Sequence, residues 1–273
     1  MGDRTVVADV ADELARRVAA GEYAPGGLMP SVRQVADEFD LNRATAQLIL
    51  GRLESYGFVD AHRGKGFVIR DVRAEGGVDV YRRLFRLSMP APEIAAEMFG
   101  NIVEEERGIA LEALLAYTGS ERAIDPSVFK AEIDELETLA RGADPDPYRM
   151  LRIELGLLRR LLTALGHNMQ RAVLNSIGEM ILEVPEAVQA YFAVSPDLHV
   201  LVWRALIAVW ESEGGPSEAQ LALFEDLFGL YHQKVVARFE EMVGAPGESA
   251  DAEDSPAADI VGRTVETAHA ASA

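Results

Sequence analysis

The chain has 273 residues, a net charge of −19 and no cysteine. This length allows two domains, since single hydrophobic cores stop growing at about 250 residues. The lack of cysteine excludes disulfides and thiolate metal sites. No apolar run reaches the roughly 20 residues that span a bilayer, and the acidic N-terminus lacks the apolar segment of a signal peptide. We therefore expect a cytoplasmic protein that does not enter a membrane.

Charge is distributed unevenly along the chain. Residues 1–73 carry ten Lys/Arg against eleven Asp/Glu, whereas the rest carries 16 against 34. Within 42–70 the balance reverses, because five basic residues oppose two acidic ones. A local basic surface on a nearly neutral domain is sufficient for contact with phosphates. The acidity of the remainder either discourages nonspecific coating of DNA or serves solubility alone.

The first part of the chain predicts three short helices. Apolar residues recur at steps of three and four within 5–20, which is typical of an amphipathic helix. The Gly- and Pro-rich run 21–27 ends this helix. Ser31 is expected to cap a short second helix, and Asn42 a third helix that continues to about Tyr56.

A β-hairpin is predicted to follow these helices. Its strands are 58–61 and 67–69, and the glycines of the basic turn between them permit a tight connection. Three helices followed by a hairpin are the order of a winged helix-turn-helix domain. The hairpin, or wing, would offer Arg63 and Lys65 to phosphates or to the minor groove, and Gly64 would allow close approach of the backbone.

The start of the third helix holds the candidate base-reading residues. In a helix-turn-helix motif the second helix lies in the major groove and presents its first residues to the base edges. Here these are Arg43, Thr45 and Gln47. Arg pairs with guanine, Gln pairs with adenine, and the methyl group of Thr contacts that of thymine.

Residues 21–69 resemble the DNA-binding domain of the GntR family of bacterial transcription regulators. The Gly-Glu-Tyr-x-Pro-Gly turn, the Pro-Ser-x-Arg-x-Val-Ala segment, the Arg-x-Thr helix start and the Gly-x-Gly-Phe-Val wing occur in order. The resemblance implies that DNA is contacted by Arg33, Arg43, Thr45, Arg63 and Gly64. The family often has Arg where this chain has Gln47, so the operator sequence is expected to differ. The alternative is a small three-helix domain that docks to protein.

After the linker 74–77 only helical periods occur. The predicted segments are 78–88, 92–118, 126–141, 146–165, 168–183, 185–194, 197–213 and 216–243. The sequence therefore predicts a mainly α protein. A winged helix-turn-helix domain at 1–73 is followed by an all-α antiparallel helical bundle at 78–243, to which the family resemblance assigns effector binding and dimerisation. The tail 244–273 is too poor in apolar residues to fold, and we expect it to be disordered.

The bundle resembles, more weakly, the effector domains of the FadR branch of the GntR family. The similarity is carried by Arg107 with the following Leu111 and Glu112, and by residues 157–181. It implies a homodimer on a pseudo-palindromic double-stranded DNA operator, acting as a repressor. It also implies a long-chain fatty acid or acyl-CoA as the effector that releases the DNA. The last helix departs from the family, so details of CoA binding cannot be transferred.

Four residues are candidates for effector binding. Arg171 and Asn175 belong to a polar helix face, and they would bind a carboxylate or thioester if this face points into the bundle. A solvated face is the alternative. Arg107 would be a second anion partner, or would form an ion pair with Glu112 or a nearby acid. Tyr191 would line the apolar part of the pocket, or be part of the core.

No metal, other cofactor or catalytic site is predicted. Related effector domains bind metal through an Asp-x-x-x-His pair and two later histidines. The corresponding residues here are Glu154 and Leu158, so His199 and His232 would form an incomplete site. The sequence contains no Gly-rich phosphate loop and no serine nucleophile elbow. The alternatives are a regulator of a small organic acid, with or without metal, an architectural DNA binder without ligand, and an enzyme that uses its winged helix for docking.

Overall fold

The computed structural model describes residues 5–119, 125–192, 194–212 and 216–244. Within these ranges the chain begins with α1 (Val6–Ala19), α2 (Val32–Glu38), α3 (Arg43–Ser55), β1 (Val59–His62) and β2 (Gly66–Ile69). A helical part follows, in which a 3-10 turn (Pro126–Phe129) directly precedes the helix that begins at Lys130. Its helices are α4 (Val78–Ser88), α5 (Pro92–Thr118), α6 (Lys130–Ala140), α7 (Pro147–Leu165), α8 (Asn168–Leu182), α9 (Pro185–Tyr191), α10 (Pro196–Glu211) and α11 (Glu218–Val243). The mainly α fold with a small wing is confirmed, whereas the tail predicted to be disordered lies outside the described residues beyond Gly244.

The predicted N-caps of α2 and α3 are confirmed. The Ser31 hydroxyl accepts a hydrogen bond from the backbone N–H of Gln34, whose side chain accepts one from the backbone N–H of Ser31. The Asn42 Oδ1 atom accepts a hydrogen bond of 2.9 Å from the backbone N–H of Thr45. Each cap stabilises its helix by about 1 kcal/mol, so both helix starts are fixed locally.

The hairpin is held against the helices by a third extended segment. β1 and β2 pair antiparallel with His62 opposite Gly66, one residue further along than predicted for β1. The backbone N–H of Met29 donates to the carbonyl of Phe67 at 2.8 Å. The backbone N–H of Gly26 donates to the carbonyl of Ile69, also at 2.8 Å. The free edge of β2 is therefore covered, and the turn of the wing projects from an anchored base.

α4 contributes to two hydrophobic cores. Val80 and Leu84 are buried with α1, α2, α3 and the hairpin, whereas Phe85 is buried with the later helices. Close packing depends on glycine at two places. A Cβ atom at Gly57 would lie 2.9 Å from the Cγ2 atom of Val80, and one at Gly76 would lie 2.8 Å from its Cγ1 atom. The predicted linker 74–77 is thus packed on α4 through Gly76.

The second core lies among α5 to α11. The two longest helices, α5 and α11, pack along each other, and the rings of Phe99 and Phe239 stack between them with centroids 4.1 Å apart. Proline occupies the first turn of α5, α7, α9 and α10, where its missing N–H costs least. Proline therefore marks the starts of these four helices.

Among the described helices, none alone combines the length and the apolar composition needed to cross a bilayer. Only α9 and α10 taken together meet that criterion, and they are bent by 59° relative to each other. Both helices contribute buried residues to the second core, among them Val188 and Trp203.

Candidate functional site

Residues from α2, α3 and the wing meet at one open groove. It is lined by Arg33 of α2, Arg43 and Gln47 of α3, and Lys65 of the wing. All four residues are exposed. The structure therefore brings together, on one surface, four of the seven residues predicted to contact DNA.

The other three predicted residues are not among the residues that line the groove. Thr45 lies in the first turn of α3, where its hydroxyl donates to the Asn42 Oδ1 atom at 3.2 Å. Its methyl group remains the part that can contact a base. Arg63 and Gly64 are exposed in the turn of the wing. Gly64 has a φ of +77°, a conformation that glycine adopts at little cost, so the tight turn requires this residue.

Most cations of this surface lack an ion-pair partner within the part of the chain that the structure describes. Among the described residues, Arg43, Arg63 and Lys65 have no carboxylate at ion-pair distance. Arg33 has an exposed partner, Asp37, at 3.7 Å. Exposed pairs of this kind contribute about 0–1 kcal/mol. The positive charge therefore remains available to an external anion.

The sequence of the N-terminal domain matches a known protein family. Residues 7–69 match the sequence model of the bacterial regulatory proteins of the gntR family. The N-terminal domain is a GntR-type helix-turn-helix domain. The groove of this GntR-type domain is formed by the helix start and the wing that carry the matching motifs.

Three similar proteins illustrate the extent of the likeness. The HTH-type transcriptional regulator Mce2R of Mycobacterium tuberculosis is 33% identical over 81 residues, which are 30% of this chain and 34% of that protein. YhcF of Bacillus subtilis, an uncharacterized HTH-type transcriptional regulator, is 31% identical over 68 residues, 25% of this chain and 56% of that protein. The chain thus matches about a third of Mce2R and about half of YhcF. A solved structure of Lar, described as controlling expression of the Listeria monocytogenes agr system, has 14% identity and a TM-score of 0.46 over 90% of this chain and 98% of that chain.

The helical domain contains a buried polar cluster, whose members are Glu106, Glu154, Tyr191, His199, Trp203, Tyr231 and His232. The Glu106 Oε2 atom lies 3.0 Å from the Nε2 atom of His232 and accepts a hydrogen bond from the Tyr191 hydroxyl at 3.3 Å. Glu106 therefore joins α5 to both α9 and α11. Glu106 is 5% exposed and His232 is 4% exposed, so both side chains are held away from water.

The second half of the cluster is built around Glu154 of α7. Its carboxylate lies 2.9 Å from the Nδ1 atom of His199 and accepts a hydrogen bond from the Trp203 indole N–H at 3.1 Å. The Tyr231 hydroxyl donates to the Tyr191 carbonyl at 2.7 Å. The ring of Tyr231 contacts the rings of both His199 and His232. Tyr231 therefore joins the two carboxylate–histidine pairs.

The surroundings of this cluster raise the pKa of three of its side chains. Burial opposes protonation of His199, but Glu154 outweighs it, so the pKa of His199 is raised. Burial, reinforced by nearby carboxylates, raises the pKa of Tyr191 and Tyr231 well above the usual range, and both hydroxyls stay neutral. Within the described residues the buried Nε2 atom of His199 has no well-aligned hydrogen bond. A weaker contact with the Tyr191 backbone carbonyl contributes to the raised pKa of His199.

Two of the predicted effector residues lie on the outside of the bundle. Arg171 donates to the Thr163 hydroxyl at 2.7 Å, and the Asn175 Oδ1 atom accepts from the Arg159 Nε atom at 2.6 Å. Both contacts are exposed and connect α8 to α7. The polar face of α8 does not point into the bundle, so the condition on which their effector role depended is not met.

The other two predicted effector residues, Arg107 and Tyr191, lie in different places. Arg107 pairs with Glu104 at 2.5 Å, and not with Glu112, which accepts a hydrogen bond from Gln170 at 2.7 Å. Arg107 lies next to α11, where a Cβ atom at Gly229 would be 3.7 Å from its guanidinium. Tyr191 is the predicted effector residue that belongs to the buried polar cluster, through its bond to Glu106.

The residues considered as metal ligands separate into two pairs. His199 is bonded to Glu154 and His232 to Glu106. Among the described residues, no group of three or more His, Cys, Asp or Glu side chains converges in a way that could hold a metal ion. Glu106 was missed by the sequence interpretation. A signal existed, because Glu106 stands three residues after Val103 and four before Ala110, on the buried face of α5.

Proposed function

We propose that this protein is a DNA-binding transcription regulator, acting as a repressor, in which α3 reads the major groove and the wing contacts the backbone or the minor groove. The observation that supports this is the groove lined jointly by Arg33, Arg43, Gln47 and Lys65. Arg43 and Gln47 are one helical turn apart at the start of α3, so both face the same base edges. Arg suits guanine and Gln suits adenine.

Fluorescence-anisotropy titration tests this proposal. The full chain is titrated onto DNA from upstream of its own gene and onto a scrambled duplex of equal length and composition. Salt is held fixed, because phosphate contacts make affinity steeply dependent on salt. We expect the upstream DNA to bind more tightly by a factor of about 1,000 or more. Equal affinity for the two duplexes would contradict sequence-specific regulation from this site.

We also propose that the regulator is a homodimer formed through the first half of α11. In the described structure no residue of 218–231 is fully buried. Three leucines of this half form an exposed stripe, with Leu223 at 41%, Leu227 at 45% and Leu230 at 48%. An antiparallel second copy centred on Leu230 would place Asp226 opposite Lys234 of the partner helix. Such a two-fold arrangement also suits two half-sites of an operator.

Leu227→Asp tests the dimer, because it introduces a charge into the centre of the stripe without altering a buried residue. We expect sedimentation velocity to show a monomer and operator affinity to fall. Asp226→Lys should weaken the dimer, and the pair Asp226→Lys with Lys234→Asp should restore it. A Leu227→Asp protein that remains dimeric would exclude this face.

The helical domain is proposed to sense a small effector. The resemblance to the FadR branch makes a long-chain fatty acid or acyl-CoA the first hypothesis. The alternative is a small organic acid, and the two buried carboxylate–histidine pairs favour it over the lipid, because an acyl chain would bury Glu106 and Glu154 against hydrocarbon. Thermal melting with palmitoyl-CoA, palmitate and a panel of hydroxy acids and dicarboxylates separates the two hypotheses. Stabilisation by the small acids alone, lost in His199→Gln, would reject the lipid.

A ligand in the bundle could act on the DNA-binding domain through α4. Arg82 of α4 is ion-paired with Glu179 of α8 and with Glu183, the residue that follows α8. The guanidinium of Arg83 lies 3.6 Å above the ring of Tyr56, the residue that follows α3 as its C-cap. α4 therefore contacts both the bundle and the end of the reading helix. An effector changes operator affinity only if it binds the two placements of these elements differently.

A further inference from the structure

A cavity lies at the junction of the two domains, separate from the DNA groove and from the buried polar cluster. Its volume is about 350 Å³, and it is bounded by the end of α1, the segment 72–76, α4 and the start of α5. Small-molecule pockets have volumes of about 300–1,000 Å³, so this cavity can hold a compact ligand.

The wall formed by α4 and α5 is apolar. Its main side chains are Leu84, Leu87, Ile94 and Met98. Apart from Glu97, the polar groups on this wall are already bonded to the protein. The Tyr81 hydroxyl donates to the Met98 carbonyl at 3.3 Å and accepts from Asn101 at 3.4 Å, and the Ser88 hydroxyl donates to the Phe85 carbonyl at 2.7 Å. The body of a ligand against this wall is therefore apolar.

The opposite wall supplies a cation. Of the lining arginines, Arg16 is bonded to Glu13 through two nitrogens, each at 2.9 Å. Arg73 makes one bond of 3.3 Å, to the carbonyl of Ala19, and has no carboxylate partner among the described residues. Its guanidinium has five N–H donors, so most remain free. Glu97, on the α5 side of the cavity, would repel an anion and direct it towards Arg73.

We propose that this junction cavity binds a compact apolar carboxylic acid, with its body against Leu84, Leu87, Ile94 and Met98 and its carboxylate on Arg73. The bound acid would bridge α1 of the DNA-binding domain and α5 of the bundle, and so change how firmly the two domains are held together. The proposal of this binding site does not depend on the proposed function. Only the effect on operator affinity depends on it.

Isothermal titration calorimetry of the full chain tests the site with three probes that share one body: 3-phenylpropanoate, 3-phenylpropan-1-ol and 3-phenylpropylamine. We expect the acid to bind with one-to-one stoichiometry. The alcohol should bind at least about tenfold more weakly, because it loses a charge-assisted hydrogen bond, and the amine should bind more weakly still. In Arg73→Gln, an exposed position where folding is not at risk, the preference for the acid over the alcohol should disappear.

Ile94→Trp fills the cavity and should abolish binding of all three probes, and a melting curve verifies that this variant is folded. Arg171→Gln, which removes a half-buried arginine on α8, is the matched control and should bind as the unaltered chain does. Acid binding that persists in Ile94→Trp would place the acid elsewhere and overturn the proposal. A preference for the amine, or the lack of saturable heat with every probe, would also overturn it.

Operator affinity with and without saturating 3-phenylpropanoate is a separate measurement. A shift that is absent in both Ile94→Trp and Arg73→Gln would support regulation through this cavity. Saturable binding of the acid without any shift would contradict the regulatory role while supporting the site. Failure of the chain to prefer its upstream DNA would count against the proposed function and would leave the calorimetric result unaffected.

Discussion

The two domains arrange their positive charges differently. At the groove of the GntR-type domain, Arg43 and Lys65 face solvent without a described carboxylate partner, whereas most of the described cations of the helical domain are in ion pairs. Arg204, for example, contacts Asp134 at 2.6 Å and Glu137 at 2.5 Å. A cation without a protein partner holds counterions from solution, and their release on contact with phosphate drives binding to DNA. Charge that is already paired offers no such gain.

The interior of the helical domain extends this contrast. Glu106 and His232 are buried and bonded to each other, so their polarity is used within the protein. The unpaired cations of the DNA-binding domain should therefore affect DNA binding and have little effect on the free energy of unfolding. The paired charges of the helical domain should affect the free energy of unfolding and have little effect on DNA binding. Four substitutions test this contrast, from the largest expected effect to the smallest.

Glu106→Ala should destabilise the protein most. It leaves the Nε2 atom of His232 and the hydroxyl of Tyr191 buried without their acceptor, and breaking a buried pair costs about 3–5 kcal/mol. Urea unfolding measures the loss. Glu106→Gln keeps an acceptor for Tyr191 and should lose clearly less. If both variants unfold like the unaltered chain, the buried polar cluster is not a stabilising network.

Arg43→Ala should act on binding alone. Loss of a bidentate contact to guanine costs about 1–3 kcal/mol, which is roughly tenfold to a hundredfold in operator affinity by anisotropy. The melting temperature should not change, because Arg43 has no described ion pair. Arg160→Ala is the matched control, since Arg160 is paired with Glu132 in the helical domain. Equal losses of affinity in both variants would remove the contrast between the domains.

Lys65→Ala should weaken binding to all DNA sequences alike. If the wing contacts a phosphate, the slope of log affinity against log salt should fall by about 1. Lys130→Ala, which removes a lysine paired with Glu211 at 2.6 Å, should leave the slope unchanged. A loss confined to the operator sequence would instead assign Lys65 to base reading.

The pair of His199 and Glu154 should give a small pH dependence of stability. Because the folded-state pKa of His199 is raised above the ordinary value of 6.5, its contribution is fully present below that value. It is lost as pH rises through the folded-state pKa. Urea unfolding at about pH 6 and about pH 9 should therefore show a decline that is reduced in His199→Gln. His62→Gln, on the exposed hairpin, should retain the full decline.

The parts of this structure that sequence predicts best are those fixed by near neighbours. Ser31 and Asn42 cap their helices through residues three positions away. The turn at Gly64 depends on the positive φ of that one residue. The groove residues follow because the winged helix order places them together. By contrast, Glu106 and His232 are 126 positions apart, and no local period predicts their contact.

The polar face of α8 shows a second limit. The spacing of Arg171 and Asn175 is the same whether the face points into the bundle or out of it. Packing against α7 through Arg159 and Thr163 decides the orientation, and this depends on how whole helices fit together. Periodicity thus identifies a face but does not say what covers it.

Because α4 belongs to both cores, the chain cannot be divided cleanly at its linker. A fragment that ends at residue 73 lacks Val80 and Leu84, and it exposes the surfaces of Gly57 and Tyr56 that α4 covers. A fragment that ends at Ser88 keeps these contacts but carries Phe85 as an exposed ring. A DNA-reading domain transplanted onto another regulator would therefore have to bring α4 with it, and the recipient bundle would need a pocket for Phe85.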